Sequence, residues 1–276
     1  MVIDTVFYLH LSLYATLLGM SDNLKEKTTT FSEITLEVDN EIQQGLSVTS
    51  PASLKKPLII YIHGHNFSGG WSGISSPLRL KIFSGEYNFL FPTQIGYGRS
   101  GQPDFCGPKT VDLIHCLVEK LKIEKGELFD WGRVYLVGVS RGATVATLLA
   151  EKYPDVYKKV VVLGGVYDMN KDYNWPTKDP LIKQNMDKEI VPLTTAELEK
   201  RSPILFTKLL QAPILILHGQ KDKTVSSQQA IDLATELEKN SKEYKLVLVE
   251  NADHGVGNPQ IFKEYIWPFL SELRIN

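Results

Sequence analysis

Residues Arg133 to Glu151 read RVYLVGVSRGATVATLLAE. RVYLVGV is short, apolar and β-branched, the composition of a parallel strand covered on both faces. Gly138-Val139-Ser140-Arg141-Gly142 follows at once and fits G-x-S-x-G. ATVATLLAEKY then keeps apolar residues on one face at helical spacing, and Pro154 closes the helix. Strand, five-residue elbow and helix in unbroken succession give this motif a mechanical meaning. So tight a turn forces the serine backbone into a strained conformation. The flanking glycines leave room where side chains would strike the neighbouring strand and helix. The hydroxyl is thereby lifted above the sheet edge, at a helix N-terminus whose dipole favours negative charge.

Outward from this unit the same rhythm repeats. LIIYI (58–62), NFLFP (88–92), KVVVL (159–163), PILIL (213–217) and KLVLV (245–249) are apolar strand-length runs. TVDLIHCLVEKLK (110–122) and SSQQAIDLATELEKN (226–240) carry helical patterns between them. PQIFKEYIWPFLSEL (259–273) closes the chain as a helix interrupted at Pro268. Near the start, FSEITLEV (31–38) and GLSVTS (45–50) alternate like half-exposed strands, joined by a turn placed at Gly45. Strands alternating with helices predict an α/β fold, a mostly parallel central sheet with helices on both faces. The segment from Met169 to about Arg201 is polar, carries Pro176, Pro180 and Pro192, and breaks the rhythm. It is expected to be a small lid insertion. One domain over 31–276 is expected, preceded by residues 1–30 as an N-terminal apolar segment and link.

That first segment has three readings. Thr5 to Met20 is free of Asp, Glu, Lys and Arg, yet its sixteen residues fall short of the roughly 20 a spanning helix needs. It lacks the basic start and A-x-A site of a signal peptide. A helix packed on the body, a signal and an anchor all stay open, and membrane contact is expected only for the last. The 276 residues are 43% hydrophobic and 22% charged with net charge -2, an ordinary globular balance that points to no nucleic-acid partner. Two cysteines, Cys106 and Cys116, form neither a disulfide framework nor a metal site. A reducing, cytoplasmic setting is the expectation, with one bridge between them left open.

The useful chemistry collects just past the predicted parallel strands, where open α/β sheets bind ligands. A serine hydroxyl is a poor nucleophile until a base takes its proton. A histidine held in one tautomer by a carboxylate serves as that base. Ser140, Asp222 and His254 occur in the order that fits such a set, with Asp168 as rival acid and Asp253 expected to point elsewhere. Negative charge developing on a carbonyl oxygen needs preorganised N–H donors. The backbone of Arg141 offers one, and the loop after LIIYI offers a second at His65, with Asn66 as the alternative. His63 and His218 read as structural. Tyr97, Trp71, Tyr167, Tyr173 and Trp175 are candidate pocket walls. Gly96 to Gly101 spells G-x-G-x-x-G, but TQI separates it from the strand before it and QPDFCGP from the helix after it. It is therefore no dinucleotide fingerprint. No cofactor and no metal are expected.

From about Ile34 onward the chain resembles an α/β-hydrolase. Within that superfamily it is most similar to the catalytic domain of the prolyl oligopeptidase family and its esterase relatives. The likeness rests on HGHN (63–66), GVSRG (138–142), GGVYDM (164–169), Arg201-Ser202-Pro203, ILHGQKDKTV (216–225) and NADHGVG (251–257). It implies Ser140 as nucleophile, Asp222 as acid and His254 as base of a serine hydrolase working through an acyl-enzyme. No propeller-length stretch precedes the hydrolase part here, and His65 and Asn66 stand where the family pairs glycines. A small-molecule ester and a short peptide or amide therefore both remain candidate substrates. An acyltransferase with the same three residues, and a silent binding scaffold, are the alternatives.

Overall fold

The computed structural model describes residues 29–50, 55–65, 78, 81, 82, 84–176 and 178–271. The expectations for the apolar N-terminal segment, Asn66 and Trp71 lie outside the described residues. Eight strands form one sheet: β1 (Thr30–Val38), β2 (Glu41–Thr49), β3 (Lys56–Ile62), β4 (Asn88–Pro92), β5 (Phe129–Val139), β6 (Lys159–Leu163), β7 (Ile214–Gly219) and β8 (Tyr244–Val249). Their spatial order is β1-β2-β4-β3-β5-β6-β7-β8. β1 and β2 pair antiparallel, as do β2 and β4, and every pairing from β4 through β8 is parallel. The expected α/β class and mostly parallel sheet are what the chain adopts.

The period of two along each strand explains why these runs are continuously apolar. Leu58, Ile60, Ile62, Leu136, Val160, Val162, Ile214 and Ile216 face one layer of helices. That layer contains α1 (Pro108–Lys125), α2 (Arg141–Lys152) and, later in the chain, Ala230, Leu233 and Leu237. Ile59, Tyr61, Phe89, Phe91, Val137, Val161, Leu163, Leu215 and Leu217 face the other, against Leu78, Ile82, Phe262, Ile266 and Leu270. Alternate residues of one strand thus fill two separate cores. α2 is buried along its first eleven residues, Arg141 to Glu151, so the elbow sits on the most deeply embedded helix.

Among the described residues, three short α-helices lie between β6 and β7, α3 (Met169–Tyr173), α4 (Pro180–Glu189) and α5 (Thr195–Glu199). They share a small cluster of Val166, Met169, Met186, Ile190, Leu198 and Val225. Inside the segment Lys178 and Asp172 form a buried ion pair at 2.5 Å. Exposed pairs such as Lys200–Glu197 add at most about 1 kcal/mol. Each buried aliphatic side chain contributes about 1.5–3 kcal/mol, so apolar packing holds this segment down. After β7, α6 (Gln228–Lys239) covers the sheet.

Two local details differ from the sequence expectation. The first hairpin turns at Asp39 and Asn40, both at positive φ (50° and 63°), not at Gly45. A two-residue hairpin favours left-handed turn positions, which Asp and Asn tolerate. Gly45 lies inside β2, opposite Ile34 and Pro92, where an added Cβ would come 2.9 Å from the Leu117 side chain of α1. The closing helix is not broken by Pro268. It absorbs the missing N–H with a π turn, Phe262–Ile266, between Pro259–Ile261 and Trp267–Ser271. Cys106 and Cys116 are both free, the first buried and the second exposed.

Candidate active site

β5 ends at Val139 and α2 begins at Arg141, leaving Ser140 alone in the turn with φ 53° and ψ -122°. Few residues other than glycine adopt that conformation, and such strain costs on the order of 1–3 kcal/mol. The surroundings enforce it. A Cβ at Gly142 would lie 2.1 Å from the Ile62 carbonyl oxygen, and one at Gly138 would lie 2.3 Å from the Gly142 oxygen. The Ser140 N–H donates to the Leu163 carbonyl of β6 at 2.7 Å, which ties the turn to the neighbouring strand.

The three residues read in the order Ser, Asp, His meet above the carboxyl edge of β5, β7 and β8. The His254 Nε2 is 2.8 Å from the Ser140 Oγ, and its Nδ1 is 2.7 Å from the Asp222 Oδ2. A nitrogen facing a carboxylate carries the hydrogen, so Nδ1 is the protonated one and Nε2 presents its lone pair to the hydroxyl. Asp222 is locked from every side. Its Oδ1 accepts the N–H groups of Thr224 at 2.8 Å and Val225 at 2.9 Å. Its Oδ2 also lies 3.2 Å from the Nε2 of His218, which is fully buried. Burial of the carboxyl acts to raise its pKa. Hydrogen bonds from His218, His254 and Val225 outweigh that and hold it well below the usual carboxylate range. The acid is therefore a fixed negative charge.

The rival acid is engaged elsewhere. Asp168 caps α3 by accepting the Lys171 N–H at 3.0 Å. Asp253 accepts the Gly255 N–H and is exposed. His63 is the expected brace: its Nδ1 meets the Gly64 carbonyl at 2.6 Å and its Nε2 accepts the Gln94 N–H at 3.1 Å. Burial lowers its pKa to about 4 and keeps it neutral.

The loop after β3 runs against the elbow, since a Cβ at Gly64 would come 3.1 Å from that of Ser140. His65, next in the chain, is thus carried beside the serine, as Arg141 is on the other side. The Nδ1 of His65 is 2.7 Å from the Tyr97 hydroxyl. Tyr97 also receives the Arg141 Nη1, and the Arg141 Nη2 pairs with Glu189 at the end of α4. Tyr97 is thus a buried linker, not an open pocket wall, and Tyr167 is fully buried core. Tyr173 and Trp175 are half-buried on the segment between β6 and β7.

Three contributors escaped the sequence reading. His218 read as structural, although its place four residues before Asp222 at a strand end was the available signal. Tyr97 reads as a pocket wall, and the glycine-rich stretch around it carries no sign of its contacts with His65 and Arg141. Glu189 had no signal at all. Among the described residues no group of His, Cys, Asp and Glu could hold a metal ion, and no helix is long and apolar enough to cross a membrane.

The profile of the prolyl oligopeptidase family matches residues 107–269. The acylamino-acid-releasing enzyme of Sus scrofa is 23% identical over 224 residues, covering 77% of this chain and 30% of that protein. "Putative esterase YitV" of Bacillus subtilis is 26% identical over 232 residues, 76% of this chain and 88% of that protein. Among solved structures, the Pyrococcus horikoshii acylaminoacyl peptidase superposes with a TM-score of 0.71 at 20% identity, over 91% of this chain and 43% of that one. The chain thus spans under half the length of these two peptidases. The family profile takes in more than half of the sequence, including the elbow and the strand ends that bear Asp222 and His254, and the chain belongs to the prolyl oligopeptidase family.

Proposed function

We propose that this chain is a serine hydrolase that cleaves a carboxylic ester or a short peptide or amide bond through an acyl-enzyme on Ser140. The observation that carries the reading is the unbroken run from the Ser140 Oγ to the His254 Nε2 at 2.8 Å and from its Nδ1 to Asp222 at 2.7 Å. In the first step the Ser140 oxygen attacks the carbonyl carbon and its proton passes to the His254 Nε2. Asp222 keeps the ring in its tautomer and stabilises the imidazolium. The oxyanion lies between the N–H groups of His65 and Arg141, each worth about 10²–10³ in kcat by comparison with other such donors. Collapse expels the leaving group, which takes the proton from His254. A water activated by the same ring then returns Ser140 to its free state.

The family includes relatives with peptidase and esterase names, which supports both substrate classes. The segment 169–201 is taken as a lid over the site. A silent scaffold is disfavoured by the Ser140–His254 hydrogen bond, because scaffolding needs no base on the hydroxyl. A fluorophosphonate probe tests the reading: stoichiometric labelling is expected, and its loss in Ser140→Ala. No labelling of the native protein sinks it. A panel of p-nitrophenyl esters beside acylaminoacyl and peptidyl amides then assigns the bond.

A further inference from the structure

Resting on the hydrolase reading above, we propose that the Tyr97 hydroxyl is a positioning group that holds both arms of the oxyanion hole in register and couples them to the inserted helix α4. The two donors arrive from opposite sides of the serine, on the loop after β3 and at the start of α2. Backbone packing brings the two elements together, since a Cβ at Gly142 would lie 2.5 Å from the His63 carbonyl oxygen. Side chains add a second tie beyond that contact: Arg141 and His65 both end on the one hydroxyl of Tyr97, the second at 2.7 Å.

The donor inventory assigns the hydrogens. A guanidinium has no acceptor, so the Tyr97 oxygen accepts from the Arg141 Nη1, and its own hydrogen is left to donate to the His65 Nδ1. Burial and the nearby Arg141 charge lower the His65 pKa, in keeping with a neutral ring that can accept. The residue that carries the hydroxyl is itself buried. Its ring meets that of His63 edge-on at 5.1 Å, and the Arg141 guanidinium lies 4.1 Å from the Phe105 ring centroid. The Arg141 side chain is 7% exposed, and its remaining fork nitrogen pairs with Glu189. A shift of α4 is therefore transmitted through Glu189 and Arg141 to the oxyanion donors, not to the Ser140–His254–Asp222 run.

The test is Tyr97→Phe, which removes the hydroxyl and keeps the ring. Steady-state hydrolysis of p-nitrophenyl butyrate should show a fall in kcat of about tenfold, the factor for one hydrogen bond, with KM within about twofold. The Ki of phenylboronic acid, whose tetrahedral adduct on Ser140 places an oxygen in the same hole, should weaken by a like factor. A merely structural role lowers the thermal midpoint and leaves the kcat-against-KM split and the boronate affinity unmoved. Should Tyr97→Phe fold poorly, Arg141→Lys keeps the charge beside Glu189 but loses the fork, and the same loss in kcat is expected. An active native enzyme with unimpaired kcat and boronate affinity in a folded variant overturns this proposal alone. A native protein inert to both the ester and a fluorophosphonate overturns the hydrolase reading, and this one with it.

Discussion

A single oxygen of Asp222 is shared between two imidazoles, with the His254 Nδ1 at 2.7 Å and the His218 Nε2 at 3.2 Å. The His218 nitrogen also faces the Val225 carbonyl at 3.1 Å, so both of its neighbours are acceptors and it must carry the hydrogen. In the proposed mechanism it would act on Ser140 only through Asp222, as a positioning residue. His218→Phe keeps the ring volume and removes this donor. A kcat loss of about tenfold is expected, the factor for one charge-assisted hydrogen bond.

The same substitution has a pH signature. The Asp222 pKa is depressed in the folded state, so its contribution to stability is present above the unfolded value and is lost as pH falls through the folded one. Removing His218 brings the folded pKa back toward ordinary, and acid unfolding should begin at higher pH. Urea midpoints between pH 2 and 7 measure this. Identical acid limbs in the two proteins would remove His218 from the site.

Asp222→Asn should cut kcat by about 10³–10⁴ while the fold persists. An amide accepts the Thr224 and Val225 N–H groups as the carboxylate does. It offers no fixed negative charge to His254, whose ring can then settle in the wrong tautomer. Asp168 cannot substitute, because its carboxylate caps α3. Near-normal turnover in Asp222→Asn would move the acid elsewhere.

The elbow strain allows a third expectation. Ser140→Ala and Ser140→Gly should both abolish turnover, but only glycine adopts φ 53°, ψ -122° without steric cost. Ser140→Gly should be more stable than Ser140→Ala by on the order of 1–2 kcal/mol, in part offset by the freer unfolded chain. Equal midpoints by urea titration would mean that the turn is unstrained.

These residues were legible in the sequence to different degrees, and the differences are physical. The β5–elbow–α2 unit could be read because a strand buried on both faces must be continuously apolar and a turn this tight must have its glycines. Asp222 could be read because it follows closely on such a strand, and His254 because it follows the apolar, strand-length run KLVLV, although that edge strand is only half-buried. The hairpin turn at Asp39-Asn40 was missed because Gly45 is the stronger turn former by type, although its absent side chain makes room for Leu117 instead. The Glu189 contact with Arg141 joins residues 48 positions apart, and a pairing of that kind leaves no periodic trace.

Glu151 supplies the last expectation. It is 2% exposed near the end of α2, and neither carboxyl oxygen has a hydrogen-bond partner among the described residues. Burial raises its pKa well above the ordinary carboxylate value. The group is thus protonated in the folded protein over a range where the unfolded chain has released the proton. Its penalty is absent below the unfolded pKa of about 4.3 and grows as pH rises toward the folded value. Glu151→Gln keeps the shape and has no proton to lose. The variant should match the native protein near pH 4 and exceed it increasingly up to pH 8, by a few degrees in Tm for each 1 kcal/mol gained. Parallel Tm curves across that span would mean that the carboxyl finds a charged or hydrogen-bonding partner in solution, and that its burial carries no titration penalty.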